Sequence, residues 1–233
     1  MNTKFPPLHS VLLNDADSRT GVGPSVASLN NGVVAPNASV EVVFRDLEHR
    51  LIQEIGAADA VFGCIAWLTH SAILKALSYK RAVGIVVQKE DFLRPDSLDI
   101  SKAALRTQYT SLPDFYRHCF GPTSLYDYAG EPSSPAIRCA GYRSTGRGVF
   151  PRMHNKFFVM CKEDIRGSYQ PYAVWTGSYN PTYNASNSLE NAVIIRDAAI
   201  ANAYAKEFGV IFGISEPLNW SSTWVEPEHR LGS

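Results

Sequence analysis

Apolar and polar positions change their spacing several times along the chain, and each change marks an element. From Ser39 the run SVEVVF has the β-branched, half-apolar character of a strand. RDLEHRLIQEIG then places apolar groups at Phe44, Leu47, Leu51 and Ile55 and stops at Gly56, the spacing of an amphipathic helix with a terminator. AVFGCIAWL is continuously apolar, as expected of a strand covered on both faces. HSAILKALSYK, which Thr69 can cap, carries Ile73, Leu74 and Leu77 on one helical face, and AVGIVVQ is again an unbroken, β-branched strand.

Strand, helix, strand, helix, strand predicts an α/β fold with a mixed, mostly parallel sheet flanked by helices on both faces. Further on, a helix is expected through Tyr109, and Pro113 and the loop GPTSLYDYAGEPSSP interrupt it. AIRCA is expected to pair with VFPRMHNKFFVMC, and YAVWTGSY with NAVIIRD. Asp197 is placed to cap a closing helix with Ile200, Tyr204, Phe208 and Ile211 at helical spacing, ending at Gly213. Residues 1–38, rich in Asn, Gly, Pro and Ser, read as an irregular arm, 39–213 as the folded domain and 214–233 as a surface tail.

Charge narrows the function classes. Lys plus Arg and Asp plus Glu are both 22, so any electropositive site is local. One stretch qualifies: between Glu131 and Glu163 there is no acidic residue, while Arg138, Arg143, Arg147, Arg152, Lys156 and Lys162 all occur. This reads either as a phosphate track, with Arg143 and Arg147 presented by the GYRSTGRG turn, or as a solvated loop. Tyr142, Trp175, Tyr179 and Tyr183 are candidate base-stacking rings, although Trp175 and Tyr179 alternate with Thr176 and Ser178 and so also fit a core face. The four cysteines form no CxxC pair, which argues against a zinc knuckle and for buried free thiols. No apolar leader and no membrane-length apolar run is visible, so a cytoplasmic protein that does not enter membranes is expected.

The chemistry concentrates in two short runs. In an extended strand, residues two apart share a side, so His154 and Lys156 of RMHNKFFVMC emerge together. Ser178 and Asn180 of GSYN do the same at the end of another strand, with Gly177 permitting close backbone approach. Glu190 follows ten residues after Asn180. If the strand ends adjoin, imidazole, ammonium, hydroxyl and carboxamide converge, and a carboxylate can fix the imidazole tautomer. Such a set suits a phosphodiester: Lys156 and Asn180 hold non-bridging oxygens while His154 attacks phosphorus or protonates the leaving oxygen.

HNK, GSYN and NSLEN together resemble the phospholipase D superfamily, whose signature is HxK with a later Asp, then GSxN and a downstream Glu. The resemblance covers 39–213, and its specific part runs from Met153 to Asn191. It implies a cofactor-free, metal-independent phosphodiesterase working through a phosphohistidine, with two histidines, one as nucleophile and one as acid and then base. His154 would be one of them, Lys156 and Asn180 would bind phosphate, Ser178 would assist, and Glu190 would orient the imidazole; Arg143, Arg147 and Arg152 are substrate-binding candidates. The chain has a single HxK, so the resemblance implies a homodimer that completes the site from two copies of His154. The signature's Asp falls at Cys161, and Asp164 is a candidate substitute. Three readings stand: a nuclease cleaving DNA or RNA without strong sequence specificity; a lipid phosphodiesterase, for which Leu125, Tyr126, Trp220 and Trp224 could form an apolar lip; and a non-catalytic phosphate-binding protein.

Overall fold

A computed structural model of the chain describes residues 39–119, 132–143, 150–186 and 188–227. The expected arm over 1–38 lies outside them, as do Arg147 and the loop carrying Leu125 and Tyr126. The elements, in chain order, are β1 (Ser39–Val43), α1 (Leu47–Ala57), β2 (Ala60–Ile65), α2 (Ser71–Ser78), β3 (Ala82–Gln88), α3 (Ala103–Thr110), a two-residue ladder of β4 (Phe115–Tyr116) and β5 (Ser133–Ser134), then β6 (Ile137–Ala140), β7 (Lys156–Glu163), β8 (Tyr169–Gly177), the single turn α4 (Tyr183–Ser186), β9 (Ala192–Arg196) and α5 (Ala198–Gly213).

One sheet of seven strands organises the described residues, in the order β1-β9-β8-β7-β2-β3-β6. The α/β class holds, but the balance of directions differs from expectation: β2–β3 and β3–β6 are parallel, whereas β1–β9, β9–β8, β8–β7 and β7–β2 are antiparallel. The reason lies in the connections. A helix carries the chain back between β2 and β3, which keeps those strands parallel, while the short turn after Glu163 folds β8 directly against β7. Unbroken apolarity in β7 reports that both faces are covered, and it carries no information about direction. AIRCA likewise pairs with β3 rather than with β7; the two meet only beyond their ends, at a bridge between Gly141 and Arg152.

Side chains two apart along the strands feed two separate cores. In β7, Phe158 and Met160 join Leu51, Ile55, Leu74 and Tyr109 from α1, α2 and α3, and Phe157, Val159 and Cys161 join Phe208 and Phe212 of α5. Each fully buried side chain of this size contributes about 1.5–3 kcal/mol, so helices on both faces hold the sheet. Asp197 caps α5 as its position suggests, accepting the Ile200 N–H at 2.9 Å. Helix α2 starts at Ser71, beyond the expected Thr69 cap, and the His70 that precedes it has no capping side-chain bond.

The segment after α5 departs from the surface tail expected there. Glu216 exchanges both backbone hydrogen bonds with Cys139 of β6 at 2.9 Å, adding to the sheet edge, and Ser215, Glu216, Trp220 and Val225 are buried. Sequence alone gives a short polar stretch no credit for burial that its partners supply from elsewhere in the chain.

Candidate active site

Chemistry-bearing side chains gather at one end of the sheet, where β2 and β3 finish, β7 begins, β8 finishes and β9 begins. Backbone contacts fix this end tightly. Ala66 donates to the Asn155 carbonyl at 2.9 Å, Met153 N–H donates to the Gln88 carboxamide at 2.8 Å, and Ser178 N–H donates to the Asn191 carbonyl at 3.1 Å. Gly177 is required there: a Cβ on it would stand 2.3 Å from the Asn191 carbonyl oxygen.

His154 and Lys156 emerge together, as the two-residue period predicts. The Lys156 ammonium lies 3.2 Å from Nδ1 and 3.3 Å from Nε2 of the imidazole and donates to the His154 carbonyl at 3.0 Å. An ammonium at that distance favours the neutral ring. Partial burial first, then the charges of Lys156 and Arg152, hold the imidazole below its ordinary pKa. Lys156 is itself lowered by desolvation, against which Glu190 works as a nearby negative charge. The same cation thus faces both the imidazole and the carboxylate.

Asn180 accepts the Trp67 N–H at 3.4 Å through Oδ1, which leaves its amide N–H groups as donors for a ligand oxygen. The following Pro181 carbonyl receives the Thr69 and His70 N–H groups, docking the GSYN loop on the start of α2. Ser178 and Glu190 are joined directly, hydroxyl to carboxylate, and the Ser178 oxygen also accepts the Asn191 N–H at 3.1 Å. Within one chain the near partner of Glu190 is Ser178 rather than His154. The sequence spacing placed the carboxylate at the right strand end but could not say which donor it would meet.

Trp67 and Glu90, which the motif reading missed, flank the histidine. The Trp67 ring lies 5.4 Å from the imidazole, nearly perpendicular to it, and its indole N–H donates to Glu90 at 3.3 Å. Burial raises the Glu90 pKa, partly offset by that bond and by Arg152. Both residues stand just past the carboxyl ends of β2 and β3, the positions where open α/β sheets place ligand contacts, and that rule could have found them.

The expected phosphate track largely dissolves. Arg138 is buried, bonded to the Ser215 hydroxyl at 2.8 Å and its carbonyl at 2.9 Å, and serves packing. Arg143 is ion-paired to Asp91 at 2.6 Å, and Lys162 faces Asp59 at 3.7 Å near the far end of β7. Arg152 remains exposed beside His154. Of the stacking candidates, Trp175 and Tyr179 are core residues, whereas Tyr183 is exposed. Asp164 accepts the Arg166 and Ser168 N–H groups at 2.8 and 2.9 Å in the β7–β8 turn, at the same end of β7 as Cys161 and opposite to His154.

No protein-family model matches the chain. A curated protein that does match is the uncharacterized protein L381 of Acanthamoeba polyphaga mimivirus, 34% identical over 205 residues, which span 79% of this chain and 69% of that protein. Among solved structures, NucT from Helicobacter pylori superposes with a TM-score of 0.51 at 16% identity, covering 78% of this chain and 99% of NucT. Nuc from Salmonella typhimurium, a phospholipase D family member, gives 0.49 at 19% identity, covering 77% of this chain and 97% of Nuc. The chain belongs to the same family as the uncharacterized mimivirus protein, and its fold is that of NucT.

Proposed function

We propose that this protein is a metal-independent phosphodiesterase that cleaves nucleic acid, at a site completed by two copies of the chain. The observation that carries the reading is the Lys156 ammonium held against both nitrogens of the exposed His154 ring, at the strand ends where Asn180, Ser178 and Glu190 also stand. The neutral imidazole this favours is a nucleophile, and Lys156 with the Asn180 amide can neutralise non-bridging phosphate oxygens.

In the first step His154 of one copy attacks phosphorus. A P–N bond forms, the P–O bond to the leaving group breaks, and the leaving oxygen takes a proton from His154 of the other copy, which enters this step as the imidazolium. In the second step that now-neutral imidazole removes a proton from water. The resulting hydroxide attacks phosphorus, the P–N bond breaks, and both histidines return to their starting states. A single copy offers one imidazole, and among the described residues the same chain supplies it no carboxylate partner, which supports a second copy at the site. Exposed Arg152 beside His154 favours a polyanionic substrate. Of the two lip residues that the structure describes, Trp220 is buried in the core and Trp224 is exposed, so only one of them is available to an acyl chain.

Purified protein and His154→Ala, each incubated in EDTA with single- and double-stranded DNA, RNA and a fluorescent phosphatidylcholine, test the reading. Cleavage of a nucleic acid by the wild type alone is expected. Activity abolished by the chelator, or turnover of the lipid only, would overturn it.

A further inference from the structure

Beside the catalytic strand stands a group of aromatic rings that belongs to neither core. Tyr142 stacks on Phe150, centroids 4.6 Å apart at 25°, and meets Trp224 at 4.6 Å and 62°. Phe150 and Tyr142 are half-buried, and Trp224 is 46% exposed. An aromatic ring left this open beside a reactive centre has a face available to a ligand.

The rings are held on rigid backbone that runs into the site. Tyr142 N–H donates to the Pro151 carbonyl at 2.9 Å, Arg143 N–H donates to the Thr223 carbonyl at 3.3 Å, and the Gln88 carboxamide bridges the Tyr142 carbonyl at 3.1 Å and the Met153 N–H at 2.8 Å. Gly141 makes this clamp possible: its φ is +89°, and a Cβ there would stand 2.5 Å from the Gln88 oxygen. From the other side, the buried Lys89 ammonium donates to the Trp224 carbonyl. Phe150 precedes His154 by four residues, at most about 14 Å of chain. Arg152 lies between them, while Asp91 occupies the guanidinium of Arg143.

We infer that Trp224, backed by Tyr142 and Phe150, is a base-stacking shelf for unpaired nucleotides, so that the substrate is single-stranded nucleic acid whose backbone runs past Arg152 to His154. The inference rests on the reading of the site as one that takes nucleic acid. Its physical ground is access: a duplex keeps base faces stacked inward, so an exposed indole can reach a base face only where the base is unpaired. Arg152 supplies the charge that the backbone meets, and the rings supply contact that every base satisfies, which predicts little sequence preference.

The test uses the full chain with His154→Ala to block turnover, and measures binding by fluorescence anisotropy to an oligothymidylate, to an abasic strand of equal length and to a duplex. The base-bearing single strand is expected to bind ~10-fold or more tighter than the abasic strand. Adding Trp224→Leu is expected to collapse that ratio, and Trp224→Phe to retain most of it; circular dichroism melts verify folding. Equal affinity for base-bearing and abasic strands, equal weakening of both by Trp224→Leu, or preference for the duplex would each overturn the shelf. Turnover is read separately with the wild type: base-dependent binding without cleavage would leave the shelf standing and remove the hydrolytic reading.

Discussion

Lys89 and Glu216 offer the sharpest test of how the segment after α5 is held. Their side chains are 0% and 4% exposed, and the ammonium meets the carboxylate, the Trp224 carbonyl and the face of Trp220 at 4.5 Å. Replacing Glu216 with Leu leaves a buried ammonium without its counter-charge, which costs about 3–5 kcal/mol. The Trp224 carbonyl and the Trp220 ring still solvate part of the ammonium, so the lower end is expected. Against a typical total of about 5–15 kcal/mol that is a large fraction. A domain of this size loses about 2–4 °C per kcal/mol, so the melting temperature is expected to fall by roughly 6–12 °C at that lower end. The double variant Lys89→Met with Glu216→Leu removes both charges and is expected to recover most of the loss, since apolar pairs of similar volume replace buried ion pairs at little cost. Thermal melts by near-ultraviolet circular dichroism and urea titrations of the wild type, the single variant and the double variant supply the comparison. A single-variant loss below about 1 kcal/mol, or a double variant no better than the single one, would refute the claim that this pair is dry and coupled.

Further outcomes follow from the same geometry. Subunits of wild type and His154→Ala exchanged at equal amounts are expected to leave about one quarter of dimers with two histidines, so activity should fall to roughly a quarter of the all-wild-type value rather than to half. The acid limb of kcat/KM is expected below the ordinary histidine pKa: burial, Lys156 and Arg152 depress the His154 value, so the neutral nucleophile persists to lower pH, and a limb above the ordinary value would contradict this. Trp67→Phe keeps a ring beside His154 but removes the bond to Glu90, and should lower kcat, by up to about 100-fold, more than it raises KM. Cys161→Asp, which restores the signature's acidic residue, is expected to lower the melting temperature without raising activity, measured by melts and cleavage rates side by side.

Much of the site was legible because it depends on a short-range rule. Residues two apart share a side of a strand, and this alone brings Lys156 to His154 and turns Ser178 and Asn180 out while Tyr179 enters the core. The strands β2 and β3 were legible for a similar reason, since every residue in them is buried. What failed depends on partners far apart in sequence. Arg138 reads as a surface charge until Ser215, 77 residues later, takes its guanidinium. Arg143 reads as a phosphate ligand until Asp91 pairs with it. The direction of β7 is set by its neighbours β2 and β8, and its own apolar pattern is the same either way.

Position 161 shows where the chain and the superfamily signature part. Cys161 lies five residues beyond Lys156 in β7, about 17 Å along the strand, too far to touch a phosphate held at His154. Its thiol is fully buried in the core on the α5 side, and burial pushes its pKa well up, so it packs as a neutral group. Its carbonyl accepts the Asp59 N–H at 2.9 Å, and the Asp59 carboxylate in turn accepts the Glu163 N–H at 3.1 Å. That arrangement ties the end of β7 to the start of β2, where the carboxylates of Asp59, Glu163 and Asp164 all stand. A carboxylate at 161 would enter an apolar core, and burying it without a partner costs more than burying the thiol. The missing Asp is therefore a change in packing at the end of β7 remote from His154, and the chemistry proposed for His154 and Lys156 does not depend on it.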